Sequence, residues 1–167
     1  MSDIGIVTFH DEKKANEVLH SLKKLEKEKL LELEDAAVVI KGDDGKVKIS
    51  QTMDETKTKG AISGGAIGLV IGTMVGGPIG GALLGSAAGA FVGKKIDYGI
   101  PDEKIEAVSE AMEVHSSAIF VKTTLTERNR PILRQLMKDA GGTLFELELS
   151  DKAEADFNDA LLSYSKR

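Results

Sequence analysis

The stretch that organises this chain is GAISGGAIGLVIGTMVGGPIGGALLGSAAGAFVG, residues 60–93. It holds 12 of the 18 glycines and no charged residue. Residues 1–59 carry 11 basic and 13 acidic side chains, and residues 94–167 carry 11 and 14. Because the charged parts total about one domain in length, the pattern predicts an insert (60–93) between the first half (1–59) and second half (94–167) of one α/β domain.

The glycines of the insert follow two registers with a spacing of four residues. The registers are Gly60, Gly64, Gly68, Gly72 and Gly76, then Gly77, Gly81, Gly85, Gly89 and Gly93. This spacing places small residues along one stripe of a helix, where they allow close helix packing. Pro78 follows Gly76-Gly77 and is typical of a turn. We therefore expect a glycine-zipper helical hairpin, with the ten glycines as its helix-packing residues and Pro78 at its turn.

Two environments could stabilise such a hairpin. A dozen glycines cost a helix roughly 10 kcal/mol relative to alanine, so the segment needs either lipid or tight protein packing. Lys57 and Lys59 before it and Lys94 and Lys95 after it fit a transmembrane helical hairpin with both ends on the cytoplasmic side. A single span is less consistent with the turn, and a flexible linker is inconsistent with the Ile, Leu and Val content.

The length of each arm favours tight protein packing over lipid. An arm of 60–76 or 77–93 extends only about 25 Å, whereas the hydrocarbon core of a bilayer is about 30 Å thick. The sequence therefore leaves open that the hairpins bury one another in a soluble assembly.

The two charged halves share a similar order of elements. The first half predicts a strand from Ile4 to Phe9, a helix that Asp11 caps, and a hairpin with its turn at Asp44-Gly45. The second half predicts a helix that begins at Pro101-Asp102 and a strand at Ala118–Val121. A second helix is predicted from Thr126 to Gly141-Gly142, followed by a strand at Leu144–Leu149 and a closing helix over residues 152–164. Two β-α-β-like units in one small chain predict an α+β fold, a ferredoxin-like α/β plait interrupted by the hairpin.

Composition excludes several kinds of site. Cysteine is absent, which excludes disulfides, thiolate metal sites and cysteine nucleophiles. The three histidines, His10, His20 and His115, lack metal-ligand spacing, and Ser116-Ser117 has only the adjacent His115 as a base. A net charge of −5 disfavours electrostatic binding of nucleic acid. We expect no enzyme activity, no cofactor and no metal, and a cytoplasmic location because residues 1–14 do not read as a secretory signal.

The order of these parts resembles the domain-of-unknown-function 1269 family of prokaryotic predicted membrane proteins. The resemblance rests on three stretches around the glycine-rich block, namely Asp44-Gly45-Lys46-Val47-Lys48, Asp97-Tyr98-Gly99-Ile100 and Ser116-Ser117-Ala118-Ile119-Phe120-Val121, and on Gly141-Gly142-Thr143 and Leu149-Ser150. It implies this architecture and a membrane association, but no reaction and no ligand.

Three functions follow as expectations. The first is a non-enzymatic structural protein whose glycine zipper drives homo-oligomerisation at a membrane. The second is a soluble homo-oligomeric scaffold, shell or filament subunit. The third is a small-ligand sensor that uses the α/β domain and keeps its ligand when residues 60–93 are deleted.

Overall fold

The protein is described by a computed structural model that covers residues 2–52, Ile67, Ile71, 102–149, Asp151, Lys152 and Ala155. Its elements, in chain order, are β1 (Ser2–Phe9), α1 (Lys14–Lys27), β2 (Leu33–Lys41), β3 (Val47–Thr52), α2 (Asp102–Ala111), β4 (Ser116–Thr123), α3 (Arg130–Ala140) and β5 (Thr143–Leu149). Every strand and helix predicted within 2–52 and 102–149 is present. The predicted closing helix is described only at Asp151, Lys152 and Ala155, which are helical.

The five strands form one antiparallel sheet in the order β3-β2-β4-β1-β5. β4 lies between β1 and β2, and β1 lies between β4 and β5, each pair antiparallel. The connections β1-α1-β2 and β4-α3-β5 therefore each join two parallel strands across an intervening strand. The mixed helices and antiparallel sheet confirm the predicted α+β class.

Helices α1 and α3 pack on one face of the sheet. α1 buries Ala15, Val18, Leu19 and Leu22 at helical spacing. These side chains join the alternate strand residues Val7, Phe9, Val38, Ile119 and Val121, and Leu133 of α3, in one hydrophobic core. The apolar side chains of α1 therefore lie on one side of the helix, and that side faces the sheet.

The opposite face of the sheet is also buried. Ile4, Ile6, Phe120 and Leu147, which alternate with the residues of the first core, are at most 2% exposed. Helix α2 packs against β1 and β5, and Val108 of α2 and Met112, which directly follows it, are buried but are not part of the first core. The sheet therefore has an apolar core on each face, with α2 on the side opposite α1 and α3.

Two glycines with positive φ lie at the turn and at the helix end that the sequence predicts. Gly45 (φ +71°) lies in the β2–β3 turn, and Gly141 (φ +72°) lies at the C-terminus of α3, where its N–H donates to Lys138 O. Left-handed backbone of this kind favours glycine. Both predicted turn signals are confirmed.

The prediction of a transmembrane helical hairpin is wrong. Among the described residues, no helix is long and apolar enough to cross a membrane, and the longest described helix, α1, has 14 residues. Ile67 and Ile71, in the first predicted arm, are helical and only 0% and 2% exposed. These two apolar side chains of the block are therefore buried in the structure.

Candidate functional site

The predicted site residues of the insert lie outside the described part of the chain. This holds for the ten stripe glycines, for Pro78, and for Lys57, Lys59, Lys94 and Lys95. The glycine-zipper prediction and the three domain ranges therefore stay predictions. The residues that the structure does bring together lie at one end of the sheet.

His115 is the centre of this cluster and connects three loops. Its Nδ1 lies 2.9 Å from Glu12 Oε1, in the β1–α1 loop, and its Nε2 lies 2.8 Å from Asp43 Oδ1, in the β2–β3 turn. Its backbone N–H donates to Lys41 O at 2.8 Å. Both ring nitrogens can donate to a carboxylate at the same time only in the imidazolium form.

The backbone at His115 is strained. Its φ is +63°, a left-handed conformation that costs a residue with a Cβ roughly 1–2 kcal/mol. The His115 side chain is 62% exposed, and its partner Asp43 is 89% exposed, so each of these solvent-exposed contacts contributes about 0–1 kcal/mol. The contacts of His115 therefore offset its own backbone strain and contribute little beyond that.

Ser117, two residues further on, caps helix α1 from a distant part of the chain. Its hydroxyl accepts the N–H of Ala15 at 3.2 Å and donates to Asp11 O at 2.5 Å. The predicted cap, Asp11, instead accepts the N–H of Lys13 at 2.7 Å, before the helix begins. The prediction of Asp11 as the helix cap is therefore corrected: the first turn of α1 is satisfied by a strand residue that no local signal could identify.

Ser116 differs from its neighbour. It is fully buried, and its Oγ has no hydrogen-bond partner within the described segments. Its strand neighbour across the sheet is Lys41, whose Nζ donates to Met112 O at 2.8 Å. Buried polar atoms without partners are uncommon in native folds, so this hydroxyl costs stability.

The β2–β3 turn carries Asp44 as well as Asp43. Asp44 Oδ1 accepts the N–H of Lys46 at 3.0 Å, and its Oδ2 lies 3.6 Å from Lys48 Nζ. The hydrogen bond from Lys46, followed by the charge of Lys48, holds the pKa of Asp44 below its usual value of 3.8. These bonds fix the turn that the sequence predicts at Asp44-Gly45.

The chemistry that this end of the sheet can support is limited. Both nitrogens of His115 already face carboxylates, and the hydroxyl of Ser117 is held by two backbone groups. In the described residues, no group of three or more His, Asp or Glu side chains could hold a metal ion. The cluster holds three loops together. Its residues Glu12, Asp43 and His115 come from three different connections, so their spacing in the sequence could not predict that they meet.

Comparison with known proteins identifies the family. Neither a search of curated proteins nor a search of solved structures found a match. The family described as "Protein of unknown function (DUF1269)" matches residues 61–162, which is more than half of the chain. The match includes the glycine-rich block, α2, β4, α3 and β5, whereas Asp44 to Lys48 precede it. The chain therefore belongs to the domain-of-unknown-function 1269 family.

Proposed function

We propose that this chain is a non-enzymatic subunit of a homo-oligomeric scaffold. One observation carries the proposal: Ile67 and Ile71, both from the glycine-rich block, are helical and almost completely buried. Burial of these two isoleucine side chains stabilises the fold by roughly several kcal/mol, which offsets part of the free energy that the surrounding glycines cost a helix. The block thus belongs to protein packing, and its remaining small-residue stripe is suited to close contact with a second copy.

The domain that carries this block is proposed to be a ferredoxin-like plait with one added strand. Support comes from the order β2-β4-β1-β5, in which the units β1-α1-β2 and β4-α3-β5 are interleaved. β3 extends the sheet beyond β2 through a tight turn. In sequence, the glycine-rich block lies between β3 and α2 and therefore between the two units.

The proposal is tested by measuring the particle mass of the purified full-length protein by light scattering and analytical ultracentrifugation. A Gly68→Leu, Gly85→Leu variant keeps the block apolar but prevents close helix approach. The matched control, Gly68→Ala with Gly85→Ala, keeps small residues at both positions and improves helix propensity. We expect a discrete oligomer for the wild type and the alanine control, and a smaller particle for the leucine variant.

Two outcomes would overturn this function. A wild-type protein that stays monomeric over a wide concentration range would exclude a scaffold role. Flotation of the wild type with liposomes after a high-pH wash would assign the block to lipid instead of to a second copy.

A further inference from the structure

Two helices of this protein present stripes of opposite charge. On α2 the acidic stripe is Glu103, Glu106 and Glu110, and on α3 the basic stripe is Arg130, Arg134 and Lys138. All six side chains are exposed. Within each stripe the spacing of three or four residues places the charges on one side of the helix.

The two stripes lie on opposite faces of the sheet. Helix α3 contributes Leu133 to the core that it shares with α1, whereas Val108 of α2 and Met112, directly after α2, are buried on the other face. The positions of Val108 and Met112 put the acidic stripe on the side of α2 that points away from the sheet. The acidic stripe of α2 and the basic stripe of α3 therefore lie on opposite faces of the sheet.

The stripes do not stabilise their own helices. Like charges three or four residues apart destabilise a helix by about 0.2–0.5 kcal/mol per pair. Arg130 opens α3, whose first turn has no acidic residue, and Glu110 lies in the last turn of α2, which has no basic residue. These two charges oppose the helix dipole, whereas Glu103 in the first turn of α2 and Lys138 in the last turn of α3 favour it, so it is the like-charge repulsion within each stripe that costs stability.

Among the described residues, the stripes have no ion-pair partners. None of the six side chains forms an ion pair with any residue that the structure describes, although other exposed charges, such as Lys14 with Glu17, do. Exposed charges that cost stability and have no ion-pair partner in this part of the chain are available to a partner of opposite charge.

We propose that α3 of one copy docks its basic stripe against the acidic stripe of α2 on the next copy. The stripes span about 12 Å and about 10 Å along their helices, so three cations can face three carboxylates. Because the two surfaces differ and lie on opposite faces of the sheet, the contact is heterologous and repeats from copy to copy as an open stack. This inference rests on the proposed scaffold function and specifies how the copies are arranged.

Charge reversal tests this contact in the full-length protein. One variant carries Arg130→Glu, Arg134→Glu and Lys138→Glu, and the other carries Glu103→Lys, Glu106→Lys and Glu110→Lys. Each variant alone opposes like charges in the contact, so we expect the concentration for half-assembly to rise more than about tenfold. An equimolar mixture restores complementary surfaces, and we expect assembly to return. Circular dichroism checks that each variant is folded.

A matched control reverses three exposed lysines outside both stripes, Lys13→Glu, Lys29→Glu and Lys46→Glu, and is expected to assemble like the wild type. Assembly of the wild type is expected to weaken in 500 mM salt, since exposed charges are screened over about 3–10 Å at such ionic strengths.

If the wild type assembles and both reversed variants assemble equally well, the contact is wrong but the scaffold function stands. If the wild type is monomeric throughout, both fail. Binding to anionic vesicles is measured for the same proteins. If the wild type binds the vesicles and only the variant with the reversed α3 stripe loses this binding, the basic stripe contacts lipid headgroups and the proposed contact between copies is wrong.

Discussion

At the scale of single residues, the neighbours Ser116 and Ser117 are both fully buried, but only the hydroxyl of Ser117 has hydrogen-bond partners among the described residues. Ser117→Ala removes the only side chain seen to accept the Ala15 N–H in the described part of the chain, and a buried donor left unsatisfied costs about 1–3 kcal/mol. Ser116→Ala removes a hydroxyl without a partner there, so we expect no loss or a small gain in stability. Urea unfolding of the two variants measures the difference, and equal effects would contradict these assignments.

Glycine at position 142 is required by close packing. A Cβ there would overlap Val7 Cγ1 and lie 2.5 Å from Phe9 Cε1. We expect Gly142→Ala to lower the free energy of unfolding by about 1–3 kcal/mol, the usual cost of overpacking.

Gly5→Ala is the matched comparison, because the nearest side-chain atom to its Cβ would be Leu144 Cδ1 at 3.9 Å. In a strand, alanine is favoured over glycine by about 0.5–1 kcal/mol, so this variant should be neutral or more stable. Thermal unfolding of both variants would refute the packing argument if Gly142→Ala proved the milder change.

At the scale of elements, the β2–β3 turn gives the molecule a pH-dependent contact. The Lys46 N–H and the Lys48 charge lower the pKa of Asp44, so the ionised carboxylate is favoured in the folded hairpin. Its stabilising effect is complete above the usual value of 3.8 and is lost as the pH falls through the lower, folded pKa. We expect Asp44→Asn to reduce the loss of stability below about pH 4.

This prediction is measured by thermal unfolding between pH 2 and pH 7, with Glu28→Gln as a control that removes a carboxylate outside the turn. The same pH dependence in Asp44→Asn and wild type would show that the turn does not contribute.

Element boundaries followed the sequence where the deciding interactions are local. In the turn that leads into α3, Thr126 Oγ1 accepts the Asn129 N–H at 3.2 Å and Asn129 Oδ1 accepts the Thr126 N–H at 2.8 Å, and Gly141 ends the helix. Reciprocal hydrogen bonds of this kind involve residues three apart, so they can be identified in sequence. At α1 the cap is Ser117, 102 residues from Ala15, and no local pattern predicts it.

At the scale of the whole molecule, Ile67 connects the glycine-rich block to the stability of the domain. It is fully buried in a segment that the charge pattern separates from both halves. We expect Ile67→Ala to destabilise the protein by about 2–5 kcal/mol, as for other buried isoleucines, and to shift one cooperative transition.

The measurement is differential scanning calorimetry of the full chain, with Leu125→Ala as a control because that leucine is 43% exposed. Retention of the wild-type melting temperature by Ile67→Ala would separate the block from the folded core. It would also remove the observation on which the scaffold proposal rests.

The sequence by itself determined the elements of this protein and the α+β class. The period of apolar residues specifies which positions of a helix or strand are buried, and Asp44-Gly45 and Gly141 specify where chain direction changes. These are local effects, confined to a few consecutive residues, and the structure confirms them.

Only the tertiary structure decided the strand order, the second core and the cluster around His115. Glu12, Asp43 and His115 meet because β1, β2 and β4 end side by side, a consequence of long-range pairing that spacing does not encode. For the apolar block the sequence left two environments open, because apolar side chains are favoured by lipid and by protein cores for the same reason, removal from water. In the described part of the block, the structure adds that Ile67 and Ile71 are buried.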